Sequence, residues 1–239
     1  MSIHLVGGGR DEARCAAVLA PFVTEARDAA ASAGLVIALL LVLEPDDDET
    51  IARFTSVLAA AGASADEIRV VAIVEGDRFA LDAVEGAHGI FVGGGLTPAY
   101  HDAFDGIGDA VRQRVAAGAA YAGFSAGAAI AATAALVGGH RLGDIEVAPE
   151  ETGEELDGLE VRPGLGLVEF TVDVHAAQWG TIARLLSAVE AGLTARGAAI
   201  DEHTALVVDG AGESVRGGGR VWWVESQASG VSVTTRAAS

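Results

Sequence analysis

The sequence predicts an α/β fold, a three-layer sandwich in which a mostly parallel sheet carries helices on both faces. Short apolar segments alternate with longer, amphipathic, alanine-rich ones, the pattern of strands joined by crossover helices. The strand-like segments are almost wholly apolar, as in parallel strands that are buried on both faces. Three glycine-rich loops follow predicted strands, and the carboxyl ends of parallel strands are where such folds form their sites.

The first half of the chain supplies most of the predicted sheet. In the helix predicted over 50–61, Ile51, Phe54 and Val57 follow helical spacing, whereas Pro21 predicts a break or kink in the first helix. The predicted elements are strand 3–6, helix 11–33, strand 35–43, helix 50–61, strand 68–74, a helical piece at 79–83, strand 89–92, helix 98–117 and strand 119–124.

The alternation of apolar and amphipathic segments becomes less regular after the alanine-rich segment that follows residue 124. Residues 140–160 are acidic, polar and poorly periodic, which indicates a surface excursion near the site. The remaining predicted elements are strand 164–174, helix 177–191 and late strands at 204–209 and 221–225. No repeat or low-complexity linker interrupts the chain, so we expect a single domain over residues 1–239.

Composition limits the classes of function. The chain has 239 residues, 51% of them apolar, but no apolar run reaches the roughly 18 residues that span a bilayer. The N-terminus lacks the pattern of a signal peptide, and the single Cys15 excludes an internal disulfide, so we expect a cytoplasmic protein. The net charge of −19 argues against nucleic acid or an anionic membrane as partners.

The most informative motif is Gly-Phe-Ser-Ala-Gly at 123–127, set between an apolar run and an alanine-rich segment. It matches Gly-x-Ser-x-Gly, which marks a nucleophile elbow, a sharp strand-to-helix turn that exposes a serine hydroxyl. Ser125 is then the candidate nucleophile, and the N–H of Ala126 is a candidate donor to an oxyanion. The alternative is that Ser125 is only a helix N-cap.

A serine hydroxyl needs a base, usually an imidazole oriented by a carboxylate. His175 is the strongest candidate because it ends a predicted strand, which we expect to place it at the same edge of the same sheet as Ser125. The other histidines have simpler interpretations. His4 has a structural role in the first strand, and His88 and His101 lie at the rim of the second glycine loop. His140 falls in the acidic excursion, and His203 is a surface residue.

Five segments in order resemble peptidase family S51, the serine peptidases that include dipeptidase E and cyanophycinase. The resemblance covers roughly residues 89–209 and implies a class I glutamine amidotransferase-like fold. The similar segments are Gly-Gly-Gly-Leu-Thr at 93–97, Gly-Phe-Ser-Ala-Gly-Ala at 123–128, Pro-Gly-Leu-Gly-Leu at 163–167 with Asp-Val-His at 173–175, Trp-Gly at 179–180 with Arg-Leu-Leu at 184–186, and Ala-Ile-Asp-Glu-His-Thr-Ala-Leu at 199–206.

The resemblance implies hydrolysis of an amide through an acyl-enzyme. The second glycine loop would supply an oxyanion donor from Gly94 or Gly95. The family's orienting carboxylate follows the elbow helix after a Gly-Gly pair, so the leading candidates here are Asp144 and Glu146. The implied substrate is a small peptide or isopeptide with an aspartyl-type bond, and neither a metal nor a cofactor is required.

The substrate and the assembly are less defined by sequence. Leu96 stands where relatives often carry a polar side chain, and Arg141 and Arg184 are the basic residues near the motifs. We expect Arg184 to pack or to pair with an acid. The resemblance and the adjacent Trp222 and Trp223 are compatible with a homodimer.

Other interpretations stay open at this point. A generic α/β-hydrolase esterase shares Gly-x-Ser-x-Gly, but too few strands follow the motif. A glutamine amidotransferase uses a cysteine at the elbow, and Cys15 lies in the first helix. A family member without catalysis would bind a small ligand or a partner. The Gly-Gly-Gly run at 7–9 lacks dinucleotide-binding spacing and predicts a tight turn.

Overall fold

The computed structural model describes residues 2–45 and 47–238. Its strands are β1 (Ile3–Val6), β2 (Ile37–Leu43), β3 (Ile68–Val74), β4 (Gly89–Val92), β5 (Ala120–Phe124), β6 (Ala134–Gly138), β7 (Arg141–Leu142), β8 (Ile145–Glu146), β9 (Glu160–Pro163), β10 (Thr171–Val174), β11 (Arg196–Ile200), β12 (Thr204–Asp209), β13 (Gly212–Gly217), β14 (Arg220–Gln227) and β15 (Gly230–Ala237). Its α-helices are α1 (Glu12–Ala30), α2 (Asp48–Ala60), α3 (Thr97–Ala103), α4 (Gly108–Ala116), α5 (Ala126–Ala129) and α6 (Ile182–Glu190).

The central sheet has the strand order β13-β12-β1-β5-β4-β2-β3. The five strands from β1 to β3 in this order are parallel, whereas β12 and β13 are antiparallel additions at one edge. The predicted α/β class with a mostly parallel sheet is therefore confirmed. The carboxyl ends of β1, β4 and β5 lead into the three glycine-containing loops, which places those loops at one edge of the sheet.

Each face of the central sheet is covered by its own apolar core. Helices α1 and α2 cover one face, where Phe22, Phe54 and Phe91 pack together. Helices α3, α4 and α5 cover the other face, joined there by side chains of a second sheet, such as Trp223. No helix within the described residues has the length and apolar character needed to cross a membrane.

The second sheet was not predicted as a separate unit. It has the order β10-β11-β14-β15, with β10 and β11 parallel and the other pairs antiparallel. We expected the strand before His175 to belong to the same sheet as Ser125, and this expectation is wrong. Strand β10 pairs with β11 instead, so His175 approaches the serine from a different sheet.

Two helix predictions also need correction. Pro21 lies inside α1 without breaking it, because the neighbouring Phe22 and Val23 are buried, and packing of this face outweighs the missing backbone hydrogen bond. The helix predicted over 98–117 is two helices, α3 and α4, separated by a turn in which Gly106 has a φ of 94°.

The tandem tryptophans do not form an exposed aromatic patch. Trp223 is buried, and the half-buried Trp222 donates its indole N–H to the Asp201 carboxylate at 3.0 Å. The two tryptophans therefore give no support to the homodimer, which stays a prediction.

A buried ion pair fastens α6 to β10. Arg184 donates from Nε to Asp173 Oδ2 at 3.0 Å and from Nη2 to Oδ1 at 2.6 Å, and the two side chains are only 4% and 1% exposed. The pairing confirms that Arg184 meets an acid. Because burial removes water from both charges, each depends on the other for its stability.

We expect Arg184→Met to lower the free energy of unfolding by about 3–5 kcal/mol, because it leaves the Asp173 carboxylate buried without its partner. The double variant Asp173→Asn/Arg184→Met removes both charges and should recover much of that loss. Urea denaturation followed by circular dichroism measures both. If the single variant lost less free energy of unfolding than the double variant, the result would contradict this account.

Candidate active site

Ser125 lies in the turn between β5 and α5, with a φ of 53° and a ψ of −110°. Its N–H donates to the carbonyl of Val6 at 2.9 Å, which ties the turn to β1. A Cβ at Gly123 would lie 2.3 Å from the carbonyl oxygen of Gly127, and one at Gly127 would lie 2.4 Å from that of Val92. Both glycines of the motif are therefore required by close backbone approach.

His175 follows β10 and meets Ser125 directly. The Oγ of Ser125 and the Nε2 of His175 are 2.9 Å apart, a hydrogen-bond distance. The backbone of His175 has a φ of 56°, and its N–H donates to the carbonyl of Gly7 at 3.0 Å. The structure thus brings together the two residues that the sequence singled out as nucleophile and base.

Glu202 completes the arrangement. Its Oε1 lies 2.8 Å from the Nδ1 of His175, so both ring nitrogens of the imidazole have partners. Because a carboxylate only accepts hydrogen bonds, Nδ1 carries the proton in the neutral ring, and Nε2 is left to accept from Ser125. The N–H of Glu202 in turn donates to the side-chain oxygen of Gln178 at 2.9 Å.

Neither predicted acid, Asp144 or Glu146, reaches His175. Both lie exposed in the β7–β8 hairpin, where the backbone oxygen of Asp144 accepts a hydrogen bond from Arg141. The position beside Nδ1 is occupied by Glu202, which corrects the sequence prediction. The available signal was the Asp-Glu-His-Thr run at 201–204, an acidic turn that enters a strand and that the family resemblance already included.

The first glycine loop frames the site. A Cβ at Gly8 would lie 2.1 Å from the imidazole of His175, and one at Gly9 would lie 2.4 Å from that of His203. The N–H of His203 donates to the carbonyl of Gly8 at 2.8 Å. The predicted tight turn is therefore also the backbone against which both histidines pack.

Trp179 shields the imidazole from solvent. The rings of His175 and Trp179 stack with centroids 3.8 Å apart and an interplanar angle of 7°, and Trp179 is 41% exposed. Burial lowers the pKa of His175, against the opposing effect of the Glu202 carboxylate, which alone would raise it. A neutral imidazole, the form that can accept a proton, therefore persists below the usual histidine range.

Three backbone N–H groups near Ser125 have no protein partner. Those of Gly94, Gly95 and Ala126 donate no hydrogen bond to any residue that the structure describes. Gly94 also lies close to the serine, because a Cβ on it would be 2.8 Å from the Cβ of Ser125. These donors are free to bind a negatively charged oxygen beside the hydroxyl.

The site opens into a cavity of about 1050 Å³ that carries both signs of charge. Arg10 and Arg53 line it, and carboxylates line much of the remainder. Burial together with the neighbouring charges of Glu44 and Glu155 raises the pKa of Glu75. The carboxylates of the wall, apart from Glu202, are Asp11, Glu44, Glu75, Glu151, Glu154 and Glu155.

Comparison with protein families decides the relationship of this chain. The model of peptidase family S51 matches residues 42–215, well over half of the sequence. The chain belongs to peptidase family S51. As a member of that family it is a serine peptidase, in agreement with the resemblance noted in its sequence.

Solved structures extend the relationship to the whole fold of this S51 chain. A crystal structure of a peptidase from an acI-B1 Actinobacterium is similar with a TM-score of 0.70 at 18% identity, covering 99% of this chain and 94% of that one. A putative peptidase E from Listeria monocytogenes EGD-e is similar with a TM-score of 0.53 at 14% identity, covering 90% and 98%. At these identities the likeness shows the fold alone. No curated protein matches the chain significantly.

The stacked Trp179 offers a direct measurement of the His175 pKa. A protonated imidazole in contact with an indole quenches its fluorescence, so we expect emission to fall as the pH decreases, with a midpoint below 6.5. The Glu202→Gln variant should move the midpoint lower still, because it removes the charge that favours the protonated ring.

The Trp179→Phe variant serves as the control for this titration. It retains Trp222 and Trp223 but removes the indole that touches His175, so the transition should disappear. A midpoint above 6.5, or a transition that survives in the variant, would contradict the assignment.

Proposed function

We propose that this S51 peptidase hydrolyses a small peptide or isopeptide bond through an acyl-enzyme formed on Ser125. The observation that supports this most is the continuous line of hydrogen bonds from Ser125 Oγ through His175 to Glu202, at 2.9 and 2.8 Å. Nucleophile, base and orienting acid in this geometry are the general requirements of serine acyl transfer.

The proposed reaction has two steps. Ser125 Oγ attacks the substrate carbonyl while its proton passes to Nε2 of His175, which then gives that proton to the leaving amine. Water next attacks the ester, His175 takes a proton from this water, and the carboxylic acid leaves as the proton returns to Ser125. Glu202 holds Nδ1–H throughout and stabilises the imidazolium that forms in both steps.

The oxyanion of each tetrahedral intermediate requires donors beside Ser125. We assign this role to the N–H of Ala126 and to that of Gly94 or Gly95, because these groups have no partner among the described residues. Ala126 directly follows Ser125, and Gly94 and Gly95 line the cavity together with it. The left-handed backbone of Ser125 supports its description as a nucleophile elbow.

The distribution of charge favours a zwitterionic acyl group, such as an N-terminal aspartate. The carboxylates of the wall other than Glu154, whose Oε2 already accepts the N–H of Thr97, suit a free amine, and the guanidinium of Arg10 or Arg53 suits the substrate's side-chain carboxylate. Arg53 is half-buried and donates to the carbonyl of Gly9 at 2.7 Å, which holds it near the first glycine loop. We therefore propose aspartyl-type specificity with Arg53 as the anion-binding residue.

The setting of the enzyme is also a proposal. The one cysteine of the chain, Cys15, is buried, which fits a reducing compartment such as the cytoplasm. Cell fractionation and sedimentation equilibrium would test the proposed cytoplasmic location and the homodimer.

The proposed roles predict how variants react with a fluorophosphonate probe and with peptide substrates. Ser125→Ala and His175→Ala should lose labelling, and Glu202→Gln should lower kcat by up to about 10⁴-fold, because it no longer orients the required tautomer. Asp144→Asn and Glu146→Gln are matched controls that should behave as wild type. A folded wild type that never labels would overturn the proposed function.

The proposed specificity predicts the order of p-nitroanilide substrates. Aspartyl p-nitroanilide should have a higher kcat/KM than the alanyl compound, and Arg53→Met should lower the ratio of the two values by about 10-fold or more, because a charge-assisted hydrogen bond is lost. Because both substrates use the same site, the ratio of their kcat/KM values is unaffected by a general loss of activity. An unchanged ratio would refute the role of Arg53.

A further inference from the structure

The helix after the second glycine loop begins with an unusual contact. The N–H of Thr97, the first residue of α3, donates to Oε2 of Glu154 at 2.8 Å across 57 positions of sequence. The preceding N-cap residue is Leu96, whose side chain has no acceptor, so this helix receives its acceptor from a distant segment. Thr97 is buried, which makes an unsatisfied N–H there costly.

This contact fixes one end of the second glycine loop. The other end is fixed at Gly93, whose N–H donates to Leu40 and whose carbonyl accepts from Gly127, both at 3.0 Å. Gly94 and Gly95, the residues with free N–H groups, lie between these two anchors. Two adjacent glycines have little conformational preference of their own, so their geometry depends on what holds the flanking residues.

The segment that carries Glu154 is itself held in a strained conformation. Glu154 and Glu155 have φ values of 57° and 60°, a left-handed backbone that is unfavourable for residues other than glycine. The buried Arg184 donates from Nη1 to the carbonyl of Thr152 at 2.6 Å, and Gly139 donates to that of Gly153 at 2.8 Å. The surrounding structure therefore imposes this turn.

The same arginine links this turn to the strand before the catalytic histidine. Arg184 forms its ion pair with Asp173, two residues before His175. A continuous series of polar contacts thus runs from the base side of the site, through Arg184 and the turn, to Thr97 on the oxyanion side. Burial raises the pKa of Glu154, against the effects of the Thr97 N–H and the charge of Arg184.

We propose that Glu154 is a positioning residue, which holds Gly94 and Gly95 beside Ser125 by accepting the hydrogen bond of Thr97. The inference rests on the proposed acyl-transfer function, because the position of these glycines matters only if their N–H groups bind the oxyanion. For this role the side chain at position 154 must be long enough to bring an acceptor oxygen to the N–H of Thr97. It needs neither contact with the substrate nor a negative charge.

Two conservative variants of Glu154 separate the effect of side-chain length from the effect of its negative charge. Glu154→Asp keeps the charge and tolerates the left-handed backbone well, but it is one methylene too short to reach Thr97. Glu154→Gln keeps both the length and an acceptor oxygen without the charge. Glu150→Ala is the control, because Glu150 lies exposed in the same segment and does not line the cavity.

The expected result is a drop of about 10- to 100-fold in kcat for Glu154→Asp with KM within about threefold, as for a misplaced catalytic donor. Glu154→Gln and Glu150→Ala should stay near wild type. Hydrogen–deuterium exchange of a peptide covering residues 93–100 should be faster in Glu154→Asp alone. This readout needs no substrate.

The outcomes distinguish the two hypotheses. If wild type neither labels nor hydrolyses, the proposed function fails, whatever the exchange data show. If wild type is active, three results would overturn the positioning role: an unchanged kcat in Glu154→Asp, equal impairment of the Asp and Gln variants, or an effect confined to KM. Exchange in residues 93–100 that is unaltered by Glu154→Asp would overturn it as well.

Discussion

The close approach of the first glycine loop to His175 is the constraint on which the candidate site depends. At Gly8 the backbone lies so near the imidazole that a single methyl group would overlap it. The same loop accepts the N–H of His175 at Gly7 and the N–H of His203 at Gly8. It thereby joins the end of β1 in the central sheet to residues that follow β10 and precede β12. This contact holds the base, which follows a strand of the second sheet, against the end of β1 in the central sheet.

Backbone strain is concentrated around the same cavity. Among the described residues, six that are not glycine have a positive φ, and all but Ala31 line the cavity: Ser125, Glu154, Glu155, His175 and His203. Such conformations are costly and persist only where the surroundings impose them. In this protein the buried pair of Asp173 and Arg184, the stacked Trp179 and the close glycine contacts provide those surroundings. The fold thus stabilises a site that local sequence preferences would not form.

The cavity also has a characteristic distribution of charged side chains. The chain contains no lysine, so every positive side chain, apart from any protonated histidine, is an arginine. Two arginines face a larger number of carboxylates in the cavity, and the desolvation of Glu75 and Glu154 raises the pKa of both. An arrangement of this kind discriminates among ligands by charge, because it attracts ligand groups of complementary charge and repels the others.

The sequence by itself determined the sheet and two residues of the site. Apolar strands alternating with amphipathic helices specify a parallel sheet, and the Gly-x-Ser-x-Gly spacing specifies a tight turn because only glycine fits such close backbone contacts. Only the tertiary structure identified the third residue of the site, the acid that contacts His175. Because β12 runs antiparallel to β1, its first residues lie at the carboxyl ends of the parallel strands, and Glu202 reaches His175 from there. Strand direction depends on pairing between segments about 200 residues apart, which no local pattern encodes. Asp144 and Glu146 are nearer to Ser125 in sequence, but their hairpin lies elsewhere.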